Sequence, residues 1–272
     1  MNYLKILLVA GCLLFGPRPA SVSLFGAFEF QGVGWAAAAA NIRVVGDGHP
    51  DRLLVNSALL GAHAVPRTGF QYSRPFSGLD LQAGSAVAEY QIGRFPVISA
   101  LSYFGDDQYS ELMVTLGTAL SLSERWRTGL SLNLFQLNIA KYKARGALSI
   151  STSMSLDLTQ DLRIGSILQH VMQVGSALTL PQRFHMGVAY DGGSVVLLVA
   201  VEKEAALPLE FCLALQTSSQ RKWQLALGYR DLSQSLSAGW RLRYRNMGLH
   251  YSAVLHPDLP ISHGFGLELF FQ

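Results

Sequence analysis

Residues 147 to 158 read Ala-Leu-Ser-Ile-Ser-Thr-Ser-Met-Ser-Leu-Asp-Leu. Every even position from Leu148 to Leu158 is apolar or Thr, and every odd position from Ser149 to Asp157 is Ser or Asp. Successive side chains of a strand point to opposite faces, so this segment has one apolar face and one polar face. The pattern recurs from about residue 68 to the C-terminus. One such strand suits any half-buried sheet. A long series of them, about ten residues each and split by short polar turns, points to a transmembrane β-barrel.

Composition agrees. Half of the 272 residues are apolar and only 14% are charged, against ~25% in ordinary soluble domains. No mature stretch reaches the ~18 consecutive apolar residues of a membrane helix. The apolar residues must therefore fill a core or face lipid from alternate strand positions. A net charge of +3 without any Lys/Arg run excludes a nucleic-acid partner.

The N-terminus has the layout of an export signal. Lys5 closes a short basic region, Ile6 to Gly16 are apolar, and Pro17 to Ser23 supply small residues for cleavage. Residues 1–23 are read as a signal peptide. Val9-Ala10-Gly11-Cys12 also resembles a lipobox, which would make Cys12 a lipidated first residue. After cleavage beyond Cys12, Cys212 is the single cysteine, which rules out an internal disulfide and makes it a small lumen-phase filler.

The mature chain divides in two. Residues 24–66 do not alternate; they hold Gly32-Val33-Gly34, the run Trp35 to Ala40, and a Gly/Pro cluster at 46–50. Ala favours a short helix and Gly/Pro favour loops. This segment is expected to be a compact plug of short helices and turns. Residues 67–272 are expected to form the barrel, with fourteen antiparallel strands at 68–75, 79–91, 95–104, 109–121, 125–137, 147–158, 162–172, 182–190, 194–203, 208–217, 221–231, 235–245, 247–256 and 262–272. An even count puts both barrel ends on the periplasmic side and leaves short outer connections.

Strand phase assigns the faces. Leu209, Phe211, Leu213 and Leu215 should meet lipid, with Trp223, Leu225, Leu227 and Tyr229 beside them. The opposite phase carries Glu111, Glu210, Arg230, Arg241, Arg243 and His250, which are expected to form a lumenal polar network. An Arg facing lipid at mid-depth costs about 2–4 kcal/mol, so an inward placement is what a barrel requires. The chain closes on an amphipathic strand with Phe265, Leu267, Leu269 and Phe271 in alternation, similar to the signal read by the outer-membrane barrel assembly machinery.

Nothing points to catalysis. There is no Gly-x-Ser-x-Gly elbow. The seven His residues have no His-Glu-x-x-His or other metal spacing. No catalytic residue, cofactor site or metal site is expected.

Gly32-Val33-Gly34-Trp35-Ala36 and, about twenty residues on, Asn56-Ser57-Ala58-Leu59 resemble the plug motifs of FadL-type hydrophobic-compound transporters and of the related PorV/PorQ proteins. Those families carry proline where this chain has Ser57. Tyr109-Ser110-Glu111 with Leu116-Gly117, Leu180-Pro181 before Met186-Gly187-Val188, and Tyr251 to Leu259 followed by His263-Gly264-Phe265 resemble the PorV/PorQ side more closely. The resemblance spans most of residues 30–272. It implies a 14-stranded barrel in the outer membrane of a Gram-negative-type bacterium. Gly32, Gly34, Asn56 and Ala58 stand at the plug motif. The implied role is a partner-binding barrel of type IX-like secretion engaging secreted proteins; the alternative is a FadL-like channel for small hydrophobic molecules.

Overall fold

The computed structural model describes residues 34–61, 66–174, 178–205, 207–218 and 222–271. The export signal, Cys12 and Gly32 lie outside these residues. Fourteen strands form one closed antiparallel barrel. They are β1 (Arg67–Arg74), β2 (Gln82–Ile92), β3 (Phe95–Gly105), β4 (Tyr109–Ser121), β5 (Trp126–Ile139), β6 (Arg145–Asp157), β7 (Leu162–Val174), β8 (Arg183–Asp191), β9 (Val195–Glu204), β10 (Leu209–Thr217), β11 (Trp223–Arg230), β12 (Ser235–Tyr244), β13 (Met247–Leu255) and β14 (Ser262–Phe270). Each strand pairs with its neighbour in sequence, and β1 closes on β14 from Arg67↔Phe270 to Arg74↔His263. Closure pairs every strand and leaves no sheet edge, the condition for a sheet to cross a bilayer. The fourteen strands lie within a few residues of the spans read from the alternation.

The faces follow the same period. Leu225 and Leu227 are 60% and 62% exposed, while Gln224 and Ala226, at the alternate positions, are 3% and 2% exposed. In β6 the four serines Ser149, Ser151, Ser153 and Ser155 all point inward and are buried. The outer surface is thus an apolar band of Leu, Val and aromatic side chains. On β11 to β14 it carries a run of neighbouring rings, Trp223, Trp240, Tyr251 and Phe265, with centroids 5.0–6.5 Å apart. No helix among the described residues is long and apolar enough to cross a membrane.

Outward Leu213 sits mid-strand, opposite Val199 and Tyr229. Leu213→Arg is expected to cost about 2–4 kcal/mol or to block assembly. Heat-modifiable mobility and urea unfolding in detergent check this; a folded variant of unchanged stability would contradict the outward assignment.

Residues 34–61 run inside the barrel. They contain two single-turn helices, α1 (Trp35–Ala38) and α2 (Pro50–Leu53), and a 3-10 turn at Ser57–Leu59. Pro50 opens α2, where a missing N–H costs nothing, and the Asn56 side chain caps the 3-10 turn by accepting from Ala58 N. The Ala run yields one helical turn and then reverses through two left-handed residues, Ala40 (φ 53°) and Asn41 (φ 57°). Val44, Val45, Leu53, Leu54 and Leu59 pack with inward Val87, Ile98, Ile167, Val196 and Leu198 in one core. Burying a side chain of this size is worth about 1.5–3 kcal/mol. The core of the molecule is therefore the interface between inner segment and wall.

One irregularity interrupts the wall. The β6–β7 register shifts between Ile150 and Thr152, and His170 opposite the shift has φ 56°. The bulge turns the His170 side chain inward, where Nδ1 lies 2.7 Å from Ser149 Oγ.

Candidate functional site

The lumen is filled differently at its two ends. At the end away from Arg67 and Phe270, where the barrel begins and ends, the β2–β6 side is closed by an apolar cluster of Phe104, Met113, Phe135, Leu137 and Leu180. The β11–β1 side of the same end is open. A cavity of about 580 Å³ lies there between Ala37, Ala40 and Asn41 of the inner segment, inward residues of β11 to β14 and β1, and the connections at 231–234 and 256–261. Its wall carries six serines, Ser73, Ser233, Ser235, Ser237, Ser252 and Ser262. Phe76, Leu232, Val254 and Leu259 form its apolar rim. The cavity can enclose a compact apolar body and offer it hydroxyl groups.

Ser237 ties floor to wall: it accepts from Ala40 N at 3.1 Å and donates to Ala38 O at 3.1 Å. Just below the rim, Glu210 accepts from Arg230, which also donates to Glu202 at 3.1 Å. Ser233 donates to Glu210 through N (3.2 Å) and Oγ (3.1 Å), which fixes the 231–234 connection over the cavity.

A second polar group lies deeper, towards the end of the barrel that holds Arg67 and Phe270. Arg241 donates to Glu268 Oε2 at 2.7 Å and to Gln224 Oε1 at 3.1 Å, and its Nη1 is 3.4 Å from Asp47 Oδ2. Arg52, wholly buried, donates to Asp47, to Ile42 O at 3.1 Å and to Gln216 Oε1 at 3.1 Å. His49 Nε2 lies 2.6 Å from Glu268 Oε1, and its Nδ1 meets Asp51. Burial pushes the Asp51 pKa up, but the charge and hydrogen bond of His49, with Arg52 and His250, outweigh it and hold Asp51 at about 2.

The residues singled out from the sequence thus separate. Glu210 and Arg230 meet under the rim, whereas Arg241 and His250 meet around Glu268 near the other end. Glu111 belongs to neither group; it accepts from Tyr109 beside the apolar cluster. Arg243 corrects the expected network. It shares the inward phase but lies at the strand end, exposed, with its guanidinium 4.3 Å over the Phe270 ring. Gly34 precedes α1 against His250 and Gln71. Asn56 donates to Val44 O at 2.7 Å, and Ala58 N donates to Ser153 Oγ at 3.0 Å. Asp47, His49, Asp51 and Arg52 of the inner segment belong to the site although no strand alternation marks them. Their signal was present as a cluster of charges and a His in an otherwise apolar, Gly-rich stretch.

No family model matches the chain, and no curated protein matches it by sequence. Solved structures share its fold. It is similar to the toluene transporter TbuX of Ralstonia pickettii, with a TM-score of 0.70 at 13% identity over 90% of this chain and 100% of that one. The CymD monoaromatic hydrocarbon channel aligns with a TM-score of 0.66 at 11% identity, over 87% and 97% of the two chains. A FadL homologue of Pseudomonas aeruginosa aligns with a TM-score of 0.57 at 9% identity, over 89% and 97%. At these identities the likeness is one of fold: the chain shares the closed outer-membrane-type barrel of these proteins.

Proposed function

We propose that this protein is a non-enzymatic outer-membrane barrel that takes up small hydrophobic compounds, with the serine-lined cavity as the site where they first lodge. The cavity carries this reading. Its volume falls in the ~300–1,000 Å³ range of small-molecule sites, and it combines an apolar rim with a few placed hydroxyls. Two of the fold relatives are a toluene transporter and a monoaromatic hydrocarbon channel, which supports the same class of cargo.

Location follows from the export signal and the apolar outer band. The cavity then faces the outside, and the barrel ends at Arg67 and Phe270 face the periplasm. Residues 34–61 act as the plug, because Ala37, Ala40 and Asn41 form the cavity floor. Cargo must displace that floor to continue. The buried ion pairs of Arg230, Arg241 and Arg52 are structural on this reading: each cation is already met by carboxylates, and they pin the plug and the rim.

Photolabelling tests the cavity. A diazirine-bearing monoaromatic should label Phe76, Leu232, Val254 or Leu259 saturably, with toluene as competitor. Ser252→Phe, which places a ring in the cavity, should cut that labelling at least about tenfold while leaving the barrel folded. Labelling confined to the outward Leu and aromatic residues would overturn the assignment. The type IX-like secretion role implied by the PorV/PorQ resemblance has no support from these relatives. A secretion defect in a deletion strain with unchanged hydrocarbon uptake would favour it instead.

A further inference from the structure

Two histidines from different parts of the chain meet a glutamate deep in the lumen. His49 of the inner segment, His250 of β13 and Glu268 of β14 are 1%, 3% and 0% exposed. Their potential ligand atoms all lie within 4.8 Å of one another. Glu268 Oε1 is 2.6 Å from His49 Nε2 and 3.7 Å from His250 Nδ1. A tetrahedral ion with bonds of ~2.0–2.2 Å holds its ligand atoms about 3.3–3.6 Å apart; the Glu268–His250 separation is close to this, and the Glu268–His49 pair would open by somewhat under about 1 Å to admit the ion.

His250 is the second observation. Among the described residues, neither of its ring nitrogens finds a hydrogen-bond partner. A buried imidazole in that state loses its hydration with only the Glu268 carboxylate, 3.7 Å away, to offset it. Its orientation is imposed from both sides. A Cβ on Gly34 or on Gly266 would collide with His250 Nε2, so the two glycines form the slot that holds the ring, leaving Nδ1 towards Glu268. The outer partners are those of a metal site. His49 Nδ1 meets the Asp51 carboxylate, and Glu268 Oε2 accepts from Arg241. A carboxylate behind a ligating His fixes its tautomer and ring plane.

We propose that His49, His250 and Glu268 bind one divalent transition-metal ion of the zinc class. Imidazole and carboxylate donors in this ratio suit such ions. The ion ties the inner segment to β13 and β14 and is independent of what passes through the barrel.

The test uses the full-length protein, unfolded in urea and refolded in detergent with EDTA, Zn2+ or Co2+, then dialysed. The expected result is one Co2+ per barrel with the visible absorption of a four- or five-coordinate N/O site, and a higher Tm than the EDTA sample. His250→Gln and Glu268→Gln should weaken binding at least about tenfold. His256→Ala with His263→Ala, at the opposite end, should leave it unchanged. A folded wild-type barrel that retains no stoichiometric Co2+ overturns the proposal and leaves a proton shared between His49 and its carboxylates. So does undiminished binding in folded His250→Gln, or loss of binding in the His256/His263 pair. If the glutamine variants do not fold, the wild-type stoichiometry and spectrum decide alone.

Discussion

Gly129→Val together with Gly228→Val is expected to unseat the inner segment and open the lumen to ions. A Cβ at Gly129 would collide with Ala58 N and lie 2.6 Å from Ser57 C, and one at Gly228 would collide with Ala40 N. These are backbone atoms of the inner segment and cannot swing aside. The same positions carry the hydrogen bonds from Ala58 N to Ser153 and from Ala40 N to Ser237. Overpacking of this kind costs about 1–3 kcal/mol per site. The strands themselves tolerate Val, a good strand former, so the relief falls on the segment they carry. Single-channel conductance in planar bilayers should rise severalfold over wild type. Gly84→Ala, whose Cβ makes an ordinary 3.4 Å contact with Gln71 O, should not change it. Wild-type conductance in a folded double variant would mean that side chains of the wall, not residues 34–61, close the lumen.

Arg241→Ala should be far more damaging than Arg243→Ala, two residues away on the same phase. Arg241 is 6% exposed and faces Glu268, Asp47 and Gln224. Removing it takes a buried cation from two carboxylates, leaving Glu268 with His49 and Asp47 with Arg52, a loss of about 3–5 kcal/mol. Arg243 is exposed and stacks over Phe270, a contact worth about 0.5–1 kcal/mol. Chemical unfolding of both variants in one detergent measures the difference. Equal losses would refute the depth assignment of these two residues.

That pair marks the limit of what periodicity conveys. Alternation identified the strands and their faces, because a wall between lipid and lumen imposes period two on every strand. Phase gives the face and not the depth, so Arg241 and Arg243 looked alike although one is buried in a cluster and the other lies at a strand end. The inner segment was legible only as an absence of alternation. Its fold depends on contacts with distant strands, and its local signals extend over one turn each, as in Pro50 at the start of α2 and Asn56 at the 3-10 turn.

The wall glycines have the same character. Gly117, Gly129, Gly165, Gly187 and Gly228 are all on the inward phase. A Cβ at Gly165 or Gly187 would strike Val44, and one at Gly117 would press on Ser57. Together they form the seat on which the inner segment lies. No local rule distinguishes such a seat from ordinary loosening of a strand. The stretch Asn56-Ser57-Ala58 lies on that seat, but motifs shared by FadL-type and PorV/PorQ proteins do not separate cargo from partner.

Uptake in cells bears most directly on the account. Strains with and without the gene are exposed to a radiolabelled monoaromatic at low concentration, and initial accumulation is compared with that of a polar solute of similar size. The account predicts faster, saturable entry of the monoaromatic alone, abolished by Ser252→Phe and restored by the wild-type chain. Identical monoaromatic entry with and without the protein, or equal gain for the polar solute, would contradict it.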